Sequence, residues 1–188
     1  MHTRDQILEA ADRLFYERGF ESTSFADIAD AVGISRGNFY YHFKSKNDIL
    51  AAVLAQRVDS TQAMLDRWTS EAGTAEGRIR CFIHILIANR ARIMQHGCPV
   101  GTLSSELAKL DHLLQPQSSS LFTLFRAWLR QQFAALGRKK DADMLAMHLL
   151  ARSQGVATLA NAFHDEAFIR REVDQMNLWL AAVAAGKL

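Results

Sequence analysis

Apolar residues recur every three or four positions along nearly the whole chain, and alternating strand patterns are almost absent. The chain is therefore expected to be all-α. The first helix is amphipathic, with Arg4, Asp5, Glu9, Asp12 and Arg13 set between apolar positions. A second opens at Ser24, a capping residue, and places Phe25, Ile28, Ala29 and Val32 on one face. Asp27 completes a capping box, and Gly33 falls where the chain leaves the helix through a left-handed residue. Ile34 then plugs the corner, Ser35 caps a third helix, and Phe39 and Phe43, four apart, pack inward. Ser45 with Asp48 repeats the capping-box signature for a helix running to about Ser70. Later helices are predicted over 75–95, 102–114, 118–136, 142–163 and 166–185, divided at His96-Gly97-Cys98-Pro99, Gln115-Pro116-Gln117, Gly137-Arg138 and His164-Asp165. Nine helices result, with no internal repeat and no low-complexity linker.

The stretch from Ser24 to Lys46 thus reads as two short helices joined by a glycine-centred turn, the shape of a DNA-reading helix-turn-helix. With Phe39 and Phe43 turned inward, Arg36, Asn38, Tyr40, Tyr41 and His42 spread over the other faces of the second helix. Arginine suits the two acceptors on a guanine edge and asparagine suits adenine, while tyrosine, histidine and lysine hold phosphates. Base reading is expected at the start of this helix and positioning at its end. Plainer roles compete: Tyr40 as a half-core residue with its hydroxyl exposed, His42 as a capping or packing residue, Lys44 as a solvated charge.

The series Thr3-Arg4, Ile7-Leu8, Ala10-Ala11, Leu14-Phe15, Gly19-Phe20, Thr23-Ser24, Asp27-Ile28-Ala29, Val32-Gly33, Ser35, Gly37, Tyr40, His42-Phe43, Lys46 and Leu50 resembles the N-terminal domain of the tetracycline-repressor (TetR) family. Asn38 stands where that family often has threonine or alanine, and Tyr41 where histidine or tyrosine is common, which leaves the operator sequence open. The resemblance implies Arg36, Gly37 and Asn38 at base edges, Tyr40 at a base or phosphate, and Ser24, Tyr41, His42 and Lys46 at the DNA backbone. It also implies a three-helix DNA-binding domain over residues 1–46 and a helical regulatory and dimerising domain over 47–188. The chain is thereby expected to be a one-component transcriptional regulator, a repressor, bound as a homodimer to a palindromic operator and released by a small-molecule effector.

Composition adds little to this and charge qualifies it. With 188 residues, 49% hydrophobic and 22% charged, the chain is ordinary for a soluble protein, so disorder and fibre are excluded. Residues 1–47 carry six Lys/Arg against seven Asp/Glu, a net of −1, and the remainder a net of +3. A bulk basic patch is therefore no argument for DNA. The local distribution is: Ser35 to Lys46 holds Arg36, Lys44 and Lys46 with no acid. The charged first helix lacks a signal peptide's apolar run, and no stretch approaches the roughly 18 apolar residues of a membrane span. A cytoplasmic location is expected, where Cys81 and Cys98 do not form a disulfide framework.

In the last two helices, 142–163 offers Leu145, Leu149, Val156, Leu159, Ala160 and Phe163 with small residues Ala146, Ala151, Ser153, Gly155 and Ala157, and 166–185 offers Phe168, Ile169, Val173, Met176, Trp179, Leu180 and Val183. From pattern alone these serve monomer core and self-association equally well. The family resemblance, in which the last two helices of each subunit form a four-helix interface, favours the dimer. Residues 79–103 and 121–133 are rich enough in large apolar groups for some to line an effector pocket, with His84, Asn89 and Thr102 as polar candidates. Gly97-Cys98-Pro99-Val100-Gly101-Thr102-Leu103 with Glu106 resembles the Gly-Cys-x-x-Gly-Asn-Leu segment of a TetR subgroup, some of whose members sense electrophiles or oxidants through that cysteine. Cys98 at a helix start is thus an alternative sensor, set against its bland reading as a small packed residue. No nucleophile elbow, phosphate-binding glycine loop, His-Glu-x-x-His or Cys-x-x-Cys is present, so no enzyme, cofactor or metal is expected. A helical enzyme, or a helical ligand-binding protein without DNA binding, is the alternative from another class.

Overall fold

The computed structural model describes residues 2–187, except the side chain of Arg36. Its helices are α1 (Thr3–Arg18), α2 (Phe25–Val32), α3 (Arg36–His42), α4 (Lys46–Glu71), α5 (Ala75–Ala88), α6 (Arg90–His96), α7 (Pro99–Lys109), α8 (Gln115–Ala135), α9 (Ala142–Phe163) and α10 (Glu166–Ala184). All nine predicted helices are there, the fifth interrupted. Asn89 divides it into α5 and α6, because its side-chain amide donates to the Ile85 carbonyl at 2.9 Å and its backbone leaves the helical region at ψ 11°. No strand occurs among the described residues.

Two boundaries differ from expectation, and proline explains both. Pro99 and Pro116 sit in the first turns of α7 and α8, where a missing N–H costs nothing, so each opens a helix rather than separating two. The predicted stretch 110–114 is accordingly a turn. It is closed by His112 N–H on the Leu107 carbonyl, Asp111 at φ 48°, and the His112 ring taking the Leu114 N–H. α8 ends on the same motif with a glycine: Gly137 at φ 89° lets Arg138 N–H reach back to the Phe133 carbonyl.

The chain divides into two compact units, Met1–Ser60 with Pro99–Leu121, and Thr61–Cys98 with Phe122–Leu188. The boundaries fall inside α4 and α8 and just before α7. This grouping follows packing. In the first unit one apolar cluster runs from Ile7, Ala11, Leu14 and Phe15 through Phe20, Ile28, Phe39 and Phe43 to Ile49, Leu50, Leu54, Leu103 and Leu107. In the second, Leu65, Ile79, Phe82, Ile83, Leu129, Phe133, Leu149, Val173, Met176 and Leu180 form another. Within it the two last helices settle which of their residues are core. Leu145, Leu149, Val156, Ala160, Ile169, Val173, Met176, Leu180 and Val183 are buried in the single chain. Met144, Met147, Leu159 and Phe163 on α9 and Leu178 on α10 face outward, with Phe163 73% exposed. Leu159 and Phe163 therefore belong to a different face from the apolar residues with which the sequence groups them.

Candidate nucleic-acid interface

Local chemistry builds α2 and α3 as the sequence indicates. Ser24 and Asp27 form a reciprocal capping box, the serine hydroxyl accepting the Asp27 N–H at 3.1 Å and the carboxylate accepting the Ser24 N–H at 2.7 Å. The Ser24 hydroxyl also donates to the same carboxylate at 2.5 Å, and these bonds hold the Asp27 carboxyl below its usual range. Gly33 takes the left-handed conformation at φ 73°, and Ile34 N–H closes on the Ala29 carbonyl as its side chain packs on the core. Ser35 caps α3 through the Asn38 N–H at 3.3 Å.

α3 buries Phe39 and Phe43 and presents the rest. Gly37, Asn38, Tyr40 and Tyr41 are exposed, Tyr41 by 79% and Tyr40 by 48%, and His42 is half-buried with its ring edge-on to Tyr41 at 5.2 Å. Tyr40 lies against Phe25 at 5.5 Å between ring centres, so it is half packed and half offered to solvent. Arg36 opens the helix; its side chain lies outside the described part. Lys44, read as merely solvated, caps the helix instead by donating to the Tyr40 carbonyl at 2.7 Å.

Two residues implied as DNA-backbone contacts have partners within the chain. Ser24 is occupied by the capping box. Lys46 donates to the Phe20 carbonyl at 3.0 Å and the Glu21 carbonyl at 3.4 Å, with its ammonium 4.2 Å above the Phe20 ring. Those carbonyls belong to the corner between α1 and α2, which α7 also grips. The Glu106 carboxylate accepts the N–H groups of Phe20 and Glu21, each at 2.9 Å. His112, whose Nδ1 accepts the Leu114 N–H, presents its Nε2–H to the Asn47 amide oxygen at 3.1 Å and its ring edge-on to Phe20 at 5.0 Å. Arg57 on α4 donates to Asp12 at 2.5 Å and to the Pro99 carbonyl at 2.7 Å.

Sequence reasoning missed this corner. Glu106 entered only as part of a motif near Cys98, and its partners lie 85 and 86 residues away. One local signal was available: Gly19 adopts φ 90°, and a side-chain carbon there would come within 3.0 Å of the Glu106 carboxylate.

The remaining candidates lie elsewhere. Cys98 is half-buried immediately before Pro99, at the start of α7, and neither it nor Cys81 is in a disulfide. His84 is exposed and shares a hydrogen bond with Asn177 at 3.2 Å, and Asn89 and Thr102 are exposed as well. Most of the large apolar residues in 79–103 and 121–133 are core. Among the described residues no three metal-ligating side chains gather, and no helix is long and apolar enough to cross a membrane.

Comparison with known proteins gives this geometry its context. Residues 7–53 match the family model of bacterial regulatory proteins, tetR family. A helix-turn-helix transcriptional regulator from the lacX 3′ region of Lactococcus lactis subsp. lactis is 29% identical over 87% of this chain and 86% of its own length. The transcriptional repressor KstR2 of Mycolicibacterium smegmatis is 41% identical over 60% of this chain and 53% of its own. A TetR transcriptional regulator from Legionella pneumophila superposes with a TM-score of 0.81 at 28% identity, covering 94% of this chain and 97% of that one. The span matched by the family model takes in the whole of α2 and α3, with the capping box, the left-handed Gly33 and the exposed face of α3. Residues 7–53 thus form a DNA-binding domain of the tetR type, and the chain as a whole is similar in sequence and fold to TetR-family transcriptional regulators.

Proposed function

We propose that the protein is a cytoplasmic homodimeric repressor that binds a palindromic operator through α3 of each subunit and is released by a small-molecule effector held in the C-terminal part. The observation that carries this is the exposed face of α3, Gly37, Asn38, Tyr40 and Tyr41, fixed by a core-facing Phe39 and Phe43. Arg36 and Asn38 meet base edges beside Gly37, Tyr40 meets a base or a phosphate, and Tyr41 and His42 hold phosphates. Lys46 does so with the N–H it does not give to the α1–α2 corner, and Ser24 keeps a phosphate contact only beside its capping duty. Residues 1–46 are the reading part in this scheme, and 47–188 the regulatory one.

The sign of control follows the similar KstR2, a repressor by name. Pairing of subunits is supported by the outward apolar residues Met144, Met147, Leu159 and Phe163 on α9 and Leu178 on α10, which sit at helical spacing with exposed Ala151, Gly155 and Ala162. Two-fold symmetry then requires two half-sites.

Release works by population shift: the effector binds a spacing of the two reading helices that does not fit the operator better than one that does. Segment 101–114 transmits it. Its Glu106 and His112 hold the corner at Phe20, so displacement of α7 reaches α1, α2 and the start of α4 directly.

Fluorescence anisotropy against duplex DNA from upstream of the gene, at two salt concentrations, tests the reading. Wild type should bind a two-half-site duplex tightly and lose affinity steeply with salt. Arg36→Ala should relax preference at one operator position, whereas Lys46→Ala should weaken all sequences alike and flatten the salt dependence. Equal binding to full and half sites would remove the dimer from the scheme.

A further inference from the structure

Between the first turn of α2 and the middle of α3 lies a notch of about 360 Å3 lined by Ser24, Phe25, Ala26, Ala29, Phe39 and Tyr40. None of these side chains is charged. The one aliphatic hydroxyl, that of Ser24, is committed to Asp27. The wall is aromatic and mutually packed: Phe25 stands edge-on to Phe39 at 5.0 Å and tilted by 34° against Tyr40 at 5.5 Å. Its floor is short, since Ala26 and Ala29 supply only methyl groups. Tyr40 is shared between this notch and the exposed face of α3, so the notch is continuous with the surface that a DNA-binding family presents to the duplex.

An apolar recess on such a face narrows what it can receive. Any phosphate stays at the rim, on the Ser24 and Tyr40 hydroxyls, because no lining side chain is a cation that would draw it inside and the Asp27 carboxylate, one residue beyond Ala26, opposes it. Base edges in the major groove are marked by hydrogen-bond donors and acceptors with one exception, the C5-methyl group of thymine. Apart from the Ser24 and Tyr40 hydroxyls no lining side chain carries a donor or acceptor, so the side chains of the recess suit that group best among the marks in the groove. The space exceeds a methyl group, so the pyrimidine edge that carries it enters as well.

We propose that the notch receives the C5-methyl group of one thymine in each operator half-site, with Phe25 and Ala26 of α2 as specificity-determining residues beside Tyr40 of α3. This rests on the reading of α3 as the groove-entering helix. α2 thereby reads sequence, rather than serving only to brace α3.

Replacing each operator thymine in turn by deoxyuridine removes the methyl group and nothing else. For the wild type, one position per half-site should lose affinity about four-fold, the worth of one buried methyl group, and 5-bromouracil there should restore it. Ala26→Leu, which fills the notch, and Phe25→Ala, which dismantles its wall, should each bind more weakly overall and show less than about a two-fold uracil effect at that position. Circular dichroism checks that both variants are folded, and Ala26→Leu carries the test if Phe25→Ala is not. Operator binding that tolerates every uracil, or a uracil effect that persists in Ala26→Leu, would overturn the notch and leave the regulator intact. Failure to bind any duplex sequence-specifically would overturn both.

Discussion

Each of the two packing units has its own apolar cluster, and they differ in how their polar contacts are arranged around it. In the first, polar contacts run across long stretches of sequence and converge on one residue. Phe20 has its N–H on Glu106, its carbonyl on Lys46, and its ring between Phe15, His112 and the Lys46 ammonium. In the second, the centre is hydrocarbon, with Phe82 edge-on to Phe125 at 5.5 Å and Leu129, Phe133 and Leu149 fully buried. Its ion pairs, such as Arg126 with Asp143 and Arg90 with Glu166, lie at the surface, where they contribute little to stability. Directional bonds fail when their partners move by an ångström, whereas apolar burial has no preferred direction and loses stability mainly through lost volume. A corner of the first kind suits a part that must respond to displacement, and a core of the second kind suits a part that must hold its shape.

The comparison is broken most forcefully in the second unit. Phe133→Ala should cost about 3–5 kcal/mol in chemical unfolding, because it empties a fully buried site between α8 and its neighbours. Glu106→Ala should cost less, about 1–3 kcal/mol, but locally. Amide exchange should quicken at Phe20 and Glu21 and stay unchanged through α9 and α10. A loss no larger than that of an exposed pair such as Arg126 with Asp143 would erase the difference between the two units. Smallest is the cap of α2, where Ser24→Ala should cost about 1 kcal/mol. That cap also has a pH signature. The Asp27 carboxyl titrates below its ordinary 3.8, first because of the Ser24 hydroxyl, so its stabilisation is complete above 3.8 and fades as pH falls through the lowered value. Asp27→Asn should flatten this part of the acid melting curve.

How much of this was legible depended on distance along the chain. α2, its left-handed Gly33 and the inward Phe39 and Phe43 follow from signals within a few residues of each other, and the structure has them where the pattern puts them. In sequence Asn89 looks like a polar candidate rather than a helix break, since asparagine in a helical pattern gives no sign that its amide will take a backbone carbonyl. The motif that points Lys46 to DNA says nothing of the carbonyls 25 and 26 residues earlier that its ammonium also reaches. On α9, apolar residues occupy both the inward and the outward face, so periodicity had no means to part Leu145 and Leu149 from Leu159 and Phe163. The notch beside Tyr40 was invisible for a related reason: it exists only where two helices meet.

The first unit is discontinuous in sequence, and this has a consequence for how the protein is made. Its apolar cluster includes Leu103, Leu107 and Leu114, and its Phe20 corner needs Glu106, all encoded well after residue 60. On a ribosome adding roughly 5–20 residues per second, the nascent reading head waits about 3–12 s for the helix that completes it. During that interval Leu50, Leu54 and Phe20 lack part of their cover, so the young chain is exposed to chaperones and proteases before it is competent for DNA. A fragment cut at residue 60 would be frozen at that stage, and a stable one has to carry the segment from Pro99 to Leu121 as a graft.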